Sequence, residues 1–336
     1  MRHIIFGGDG FVGRHLAPRL QAEGHEVIVA DIAKSDLPHY GEIRFENVDV
    51  TDPASIARVG IRADDMVYNL SAKMLSPLQV RAKRHDFFFP VNYYGTENII
   101  KAMDQAGAAS LVHFTTDMVY GHTYVWPQTE EHPVAPLGEY GLSKLKTEEL
   151  AVEWRQRGMN ISLFRPRLII GPGRLGILSK LFKLIDNNLP VPMIGSGKNP
   201  YQFISVFDCA SAAHAAFNAG VPNEVYNLGS LNPPPVRKLL GDLVKHAGSK
   251  SILLPTPAWA VKRTLDLFDL INMPIMDPEQ YLIADEMCVL DVSKGERELG
   301  WVPQYRDEDM LIAAYSEYRR GLAGGSQDNV AHAKAA

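Results

Sequence analysis

Between residues 3 and 16 the chain reads HIIFGGDGFVGRHL. An apolar run is followed by glycines at 7, 10 and 13, and these by a helix-like pattern. That order predicts a strand, a tight turn and the N-terminus of a helix. Without a Cβ, glycine backbone can approach a ligand closely, and the N–H groups of a first helical turn have no intrahelical acceptor. Such a turn suits an anion, and a dinucleotide pyrophosphate in particular. The next apolar run, HEVIVAD, ends in Asp31, eighteen residues beyond Gly13. A carboxylate there accepts hydrogen bonds from an adenosine ribose and repels a 2′-phosphate, which predicts NAD rather than NADP. Lys34, close by, pulls the other way. Asp49 and Val50, in VDVTD, fall where an adenine could rest.

The first half of the chain keeps a βα rhythm. Strand patterns lie at 3–6, 26–30, 43–46, 66–70, 111–115 and 161–165, with helical patterns at 10–23, 53–59, 91–106 and 141–157. The alternation predicts parallel strands joined by crossover helices, an α/β fold of the Rossmann-type, doubly wound kind. In such a sheet the ligand sits at the carboxyl ends of the strands. The second half is broken by proline and glycine at 171–176, 189–200 and 232–235, and sheet patterning returns at 201–206 and 225–228. The expected organisation is an NAD-binding domain of 1–170 plus about 201–228. A smaller, discontinuous α/β substrate domain would take about 171–200 plus 229–322, and 323–336 would be a disordered tail.

Composition narrows the partners. The net charge is −5, which argues against nucleic acid, whose partners present basic faces. Two cysteines, Cys209 and Cys288, form no disulfide framework, so a reduced cytoplasmic location is expected. The first apolar run is too short for a signal peptide, and about 18 uninterrupted apolar residues, enough to span a membrane, occur nowhere. None of the eleven histidines has metal-ligand spacing, so no metal is expected. His113 reads as packed in a strand, His132 as lying in a surface loop, and Asp208 as a helix N-cap.

Tyr140 and Lys144, in EYGLSKLKTEEL, share one helix face at a spacing of four. An ammonium beside a phenol favours the phenolate and would bring its pKa, ordinarily about 10, toward neutrality. That pairing suits proton transfer at a carbonyl or alcohol.

Further motifs share a pattern: GGDGFVG, NLSA (69–72), VNYYGTENII (91–100), FTTDMVYG (114–121), YGLSK (140–144), FRPRLIIGPG (164–173), VYNLGS and ELGWVP. Over nearly all of residues 1–320 the chain resembles the extended short-chain dehydrogenases/reductases, the NAD-dependent epimerase/dehydratase superfamily. The resemblance implies that Tyr140 is the acid/base, that Lys144 holds the nicotinamide ribose, and that Thr116 hydrogen-bonds the reacting oxygen. It places Gly7, Gly10, Phe11, Val12 and Gly13 along the cofactor pyrophosphate, with Asp31, Ile32, Asp49 and Val50 at the adenosine. Leu70, Ala72, Asn92 and Pro166 would complete the cofactor site. Lys73, Asp117, Met118 and Tyr201 would face the substrate. Asp117 follows Thr116 as in sugar 4,6-dehydratases, but Met118 stands where those enzymes carry a glutamate, so elimination of water is not expected. The resemblance also implies a homodimer through the helices at 91–106 and 141–157.

Many nucleotide-sugar members of the superfamily carry Arg-Asp-aromatic in a late strand and a second arginine before D-x-S-K. Here Tyr201 and Gln202 occupy the first two positions, and residues 264–296 contain no arginine before or within LDVSK (290–294). Lys198 and Arg174 are the remaining candidate cations. The segments 83–91 and 257–276 are rich in Phe, Leu, Ile and Met. The pattern looks closest to the 3β-hydroxysteroid dehydrogenase and 3-oxo-lipid reductase-like branch. The expected reaction is NAD(H)-dependent interconversion of a secondary alcohol and a ketone on a bulky hydrophobic substrate, a sterol or 3-oxo lipid including a 3-oxo-sphingolipid or ceramide. The alternatives are a nucleotide-sugar 4-epimerase or reductase and, third, a non-catalytic NAD-sensing regulator. The apolar 257–276 segment would be core, would meet substrate, or, with Lys262 and Arg263, would make a peripheral contact with the inner membrane.

Overall fold

Among the residues described by the computed structural model, 1–35 and 43–323, one parallel sheet of seven strands dominates. The strands are β1 (Arg2–Phe6), β2 (Glu26–Asp31), β3 (Arg44–Asn47), β4 (Met66–Asn69), β5 (Ser110–Phe114), β6 (Asn160–Pro166) and, later, β10 (Val225–Leu228). Between β6 and β10 come β7 (Leu168–Ile170), β8 (Val191–Ile194) and β9 (Phe203–Ser205); β11 (Leu253–Thr256) follows. The helices of the first half are α1 (Gly13–Ala22), α2 (Pro53–Ala57), α3 (Arg84–Phe89), α4 (Gly95–Ala106) and α5 (Glu139–Gln156). Then come α6 (Leu178–Asp186), α7 (Val206–Asn218), α8 (Val236–His246) and α9 (Ala258–Leu270). The last are α10 (Pro278–Tyr281), α11 (Ser293–Leu299) and α12 (Asp307–Ala323). The predicted tail beyond Ala323 lies outside the described residues.

The strand order is β10-β6-β5-β4-β1-β2-β3. The order reverses between β1 and β4, so the crevice for a ligand opens at their carboxyl ends. Register brings three chain segments level there: Phe6 pairs with Ala30 of β2 and with Asn69 of β4. Gly7, Asp31 and Leu70 therefore emerge side by side. Both sheet faces are covered, so the centres of β1 and β2 are continuous buried apolar runs, residues 4–6 and 27–30, as in other buried parallel strands. α1 and α7 bury Leu16, Leu20 and Ala213 on one face, and α4 and α5 bury Ile99, Met103 and Trp154 on the other. A separate core built on Phe182, Leu243, Leu311 and Tyr315 joins α6, α8 and α12.

The strand pattern expected at 201–206 forms, but outside the large sheet. Among the described residues β9 pairs with β7, and the position beside β6 is occupied by β10. β8 pairs with β11 in another two-stranded sheet. Asp208 is not the N-cap of α7. Ser205 is, its Oγ accepting the Phe207 N–H, while the Asp208 carboxylate accepts the N–H groups of Gln304 and Tyr305. His132 is buried rather than in a surface loop, with its ring stacked on Tyr124. His113 is packed within β5, accepting or donating at Thr147, and burial lowers its pKa to about 3, so it is neutral.

Candidate active site

The glycine turn is folded too tightly for side chains. Gly7 has φ +70°, and a Cβ there would lie 2.6 Å from the Ser71 nitrogen. A Cβ on Gly13 would lie 2.4 Å from the Gly8 carbonyl oxygen. The first intrahelical bond of α1 runs from the Arg14 N–H to the Gly10 carbonyl (3.1 Å), so the amides of Phe11, Val12 and Gly13 precede it. Asp31 stands at the rim, accepting the N–H groups of Asp9 (3.0 Å) and Ile32 (2.7 Å); burial raises its pKa. A cradle that a Cβ would fill, leading amides and a carboxylate level with them fit an adenine dinucleotide. Leu70 and Ala72 are half-buried at the end of β4, and Pro166 is buried at the end of β6.

The adenine-side pair behaves differently. Val50 is buried against Gly95, and Asp49 is exposed with its carboxylate bonded to Thr51. Asp9 was not singled out from the sequence, where it looks like an ordinary turn residue. It is a buried second carboxylate, bound by the Ser35 hydroxyl (2.7 Å) and flanked by Arg14, whose Nε donates to the Asp9 carbonyl (2.6 Å). Asp31→Ser is expected to weaken NADH binding about tenfold, the loss of one charge-assisted bond, and to narrow the preference over NADPH. Nicotinamide fluorescence titrations with both cofactors check this; unchanged affinities would remove Asp31 from the ribose.

Tyr140 and Lys144 lie one turn apart on α5, both buried. The phenol donates toward the Met74 sulfur (3.5 Å), and its ring lies 5.5 Å from that of Phe88. Burial raises the phenol pKa well above its ordinary value, while Thr116, as a hydrogen-bond partner, and Arg174 pull it down. Thr116 has extended backbone, and its Oγ1 accepts the Met118 N–H (3.2 Å). The expected ammonium-on-phenol contact is not what the structure shows. Lys144 Nζ donates instead to the Phe114 carbonyl (3.0 Å), and burial lowers its pKa to about 7. The cation acting on the phenol is Arg174. A spacing of four sets the two side chains a helical turn apart, and the nearest acceptor for Nζ is the end of β5.

An unfolded lysine keeps its proton to about pH 10.4. Between about 7 and that value the unfolded chain holds the extra proton, so Lys144 contributes more stability as pH rises. The melting temperature of the cofactor-free protein should therefore gain on that of Lys144→Met from pH 7 to 10. A constant difference would refute the shift.

Asn92 is fully buried in a π-helical turn between α3 and α4. Its Oδ1 accepts the Lys73 N–H (2.8 Å) and its Nδ2 donates to Ser143 Oγ (3.0 Å), tying the β4 loop to α5.

On the substrate side, Asp117 and Arg167 form a buried ion pair. Arg167 Nε donates to the Gln202 carbonyl (3.2 Å), and the guanidinium lies 5.1 Å from the Tyr201 ring centre. The Gln202 amide is itself spent on the Ser230 carbonyl and on Leu290. Met118 is half-buried, and Lys73 lies over the Phe87 ring at 5.6 Å. Of the apolar segment 257–276, α9 buries only Leu265 and Asp269. Trp259 (75% exposed), Leu267, Leu270 and Met273 face outward, so the segment is not simply core. Among the described residues no helix is long and apolar enough to cross a membrane. Arg167 was legible only as one basic residue of FRPRLIIGPG; nothing local to it marks Asp117 as its partner, fifty residues away.

Residues 3–229 match the model of the family described as "NAD dependent epimerase/dehydratase family". The chain is 29% identical over 330 residues to the uncharacterized protein y4nG of Sinorhizobium fredii (96% of this chain, 81% of that one). It is 28% identical over 255 residues to a putative UDP-glucose 4-epimerase of Methanocaldococcus jannaschii (72% and 81%). It is 25% identical over 341 residues to a 2-alkyl-3-oxoalkanoate reductase of Stenotrophomonas maltophilia (93% and 97%). Among solved structures, a UDP-glucose 4-epimerase of Thermotoga maritima with UDP-glucose shares the fold at TM-score 0.76 and 21% identity, covering 96% of this chain and 100% of that one.

Proposed function

From the premise that the chain belongs to the NAD dependent epimerase/dehydratase family, we propose that it interconverts a ketone and a secondary alcohol on a bulky apolar substrate of the 3-oxo-lipid or sterol type, in the manner of the 3β-hydroxysteroid dehydrogenase-like branch. The observation that carries this reading is the closed Asp117–Arg167 pair beneath Tyr201. At the position where nucleotide-sugar members carry an arginine for the diphosphate, a tyrosine ring covers a cation already neutralised by its own carboxylate. Met74 and Phe88, packed on the catalytic phenol, add apolar wall. The reductase relative, matched over 93% of this chain, supports the same substrate class.

Bound NAD(H) supplies or accepts the hydride. In the reducing direction the substrate oxygen enters between Thr116 and Tyr140. Thr116 Oγ1 accepts the Met118 N–H, and its own proton, which points to Asp117 Oδ1 over a long 3.4 Å, turns to the developing alkoxide. Tyr140 delivers the proton that makes the alcohol. Burial holds the phenol protonated until that oxygen arrives. Lys144, held by the Phe114 carbonyl, is placed for the nicotinamide ribose, and Arg174 steadies the phenolate left behind. Run backwards, the same groups take the proton from an alcohol. Asp117 is closed on Arg167 in a buried ion pair and is given no part in proton transfer.

The second reading is a nucleotide-sugar 4-epimerase, favoured by the relative of that putative name. One experiment separates them. NADH oxidation is followed with a 2-alkyl-3-oxoalkanoate in detergent, and UDP-galactose conversion is assayed in parallel. Turnover of the ketone alone supports the reading; conversion of the UDP-sugar alone replaces it with the epimerase. The outward apolar strip of α9, with Arg263 beside it, supports a peripheral contact with anionic lipid. Exposed Tyr94 and Val152, beside α4 and on α5, support the two-fold contact of a homodimer. Co-sedimentation with anionic vesicles and sedimentation velocity test these two.

A further inference from the structure

The catalytic helix does not cap itself. The N-cap residue of α5 is Gly138, in extended conformation (φ −161°, ψ −175°) and without a side chain to offer. The amides of Tyr140 and Gly141 lie in the first turn, where no intrahelical acceptor exists. Both are taken by a carboxylate from 139 residues downstream. Glu279 Oε1 accepts the Tyr140 N–H at 2.9 Å, and Oε2 accepts the Gly141 N–H at 2.9 Å. A Cβ on Gly138 or on Gly141 would lie 2.6 Å from one of these oxygens, so both glycines leave room for this side chain. Glu279 is 2% exposed. Burial, with Asp277 beside it, raises the Glu279 pKa to about 8 against the pull of these two N–H bonds, and above that pH its negative charge complements the positive end of the helix dipole.

Glu279 is itself held. The N-cap of α10, Asp277, accepts the Glu279 N–H (3.0 Å) and faces Arg84 Nε (3.5 Å). The Arg84 fork closes on Asp269 of α9. Arg84 also opens α3, the helix that brings Phe88 against the Tyr140 ring. One buried network thus reaches Tyr140 from two sides, through its backbone and through its ring.

We propose that Glu279 is a positioning residue for Tyr140: its carboxylate seats the first turn of α5, so the register of the phenol against Thr116 depends on the docking of segment 277–281. The inference rests on the reading of Tyr140 as acid/base.

The test compares Glu279→Ala, Glu279→Gln, and Glu279→Ala combined with Gly138→Asp. The last moves the carboxylate to the local N-cap position, where the extended backbone accepts it and the missing Glu279 side chain makes space. Hydrogen exchange reports the amides of 140 and 141. Turnover of a 2-alkyl-3-oxoalkanoate and NADH affinity report the site. Glu279→Ala should speed exchange and lower kcat about tenfold each, with KM and NADH affinity within about twofold. Glu279→Gln keeps an acceptor and should fall less, and the local cap should restore both readouts. Faster exchange with unchanged kcat would overturn the proposal, as would a local cap that restores protection but not kcat. Should Glu279→Ala fail to fold, Glu279→Gln carries the same comparison. Should the unsubstituted protein not turn over the ketone, the substrate reading fails by itself. The phenolate absorbance of Tyr140, taken against Tyr140→Phe, then decides. The Glu279 charge raises the phenol pKa, so Glu279→Gln should ionise at lower pH. An unmoved titration would overturn the proposal.

Discussion

Tyr140→Phe is expected to lower turnover by about 10²–10⁴-fold while NADH binding stays within about twofold. The phenylalanine keeps the ring that packs on Phe88 and loses only the hydroxyl, so folding and the cofactor cradle at Gly7–Gly13 are untouched. What goes, on the proposed mechanism, is the proton donor. Thr116 remains to hydrogen-bond the substrate oxygen, which is why residual turnover is expected rather than none. Stopped-flow nicotinamide fluorescence separates the two effects, reading binding and oxidation in one trace. Turnover equal to that of the unsubstituted protein would show that the proton comes from elsewhere.

Asp117→Ala is expected to destabilise the fold by about 3–5 kcal/mol, because it strands the Arg167 charge in a site closed to water. Arg167 is 3% exposed, so it cannot turn outward to solvent without moving β7, the strand that follows it at once. Chemical denaturation should show a lower midpoint with an unchanged slope. Replacing both partners with apolar residues of similar volume, Asp117→Leu with Arg167→Met, should recover most of the loss, since the desolvation cost disappears with the charges. The pair of results also bears on function. A double variant that is stable and still reduces the ketone shows that the ion pair is architecture; one that is stable but inactive shows that substrate reads this charge.

Several site features were legible because they are local. A glycine turn between a strand and a helix needs only a dozen neighbouring residues to declare itself, and the parallel register then carries Asp31 and Leu70 to its side. Tyr140 and Lys144 were legible as a pair on one helix from their spacing, and as candidates for chemistry only in the company of the dinucleotide turn and the family resemblance. Their electrostatics were not, because the spacing says nothing of the Phe114 carbonyl that takes the ammonium or of Arg174 across the site. β9 has a strand-forming sequence, yet its partner is β7, and β10 fills the place beside β6. The apolar run at 257–276 reads the same whether it is core or surface; only packing turned Trp259 and Leu270 outward.

By itself the sequence determined the doubly wound parallel sheet, the dinucleotide turn and the four-residue spacing of Tyr140 and Lys144 on one helix. Each is encoded by periodicity or spacing within one supersecondary unit, where the chain's own geometry decides the outcome. The tertiary structure alone decided which charges meet. Asp117 closes on Arg167 fifty residues on, and Glu279 caps a helix 139 residues before it. A buried charge or an orphan amide must find a partner, but nothing in the local chain says which distant residue the fold will bring to it.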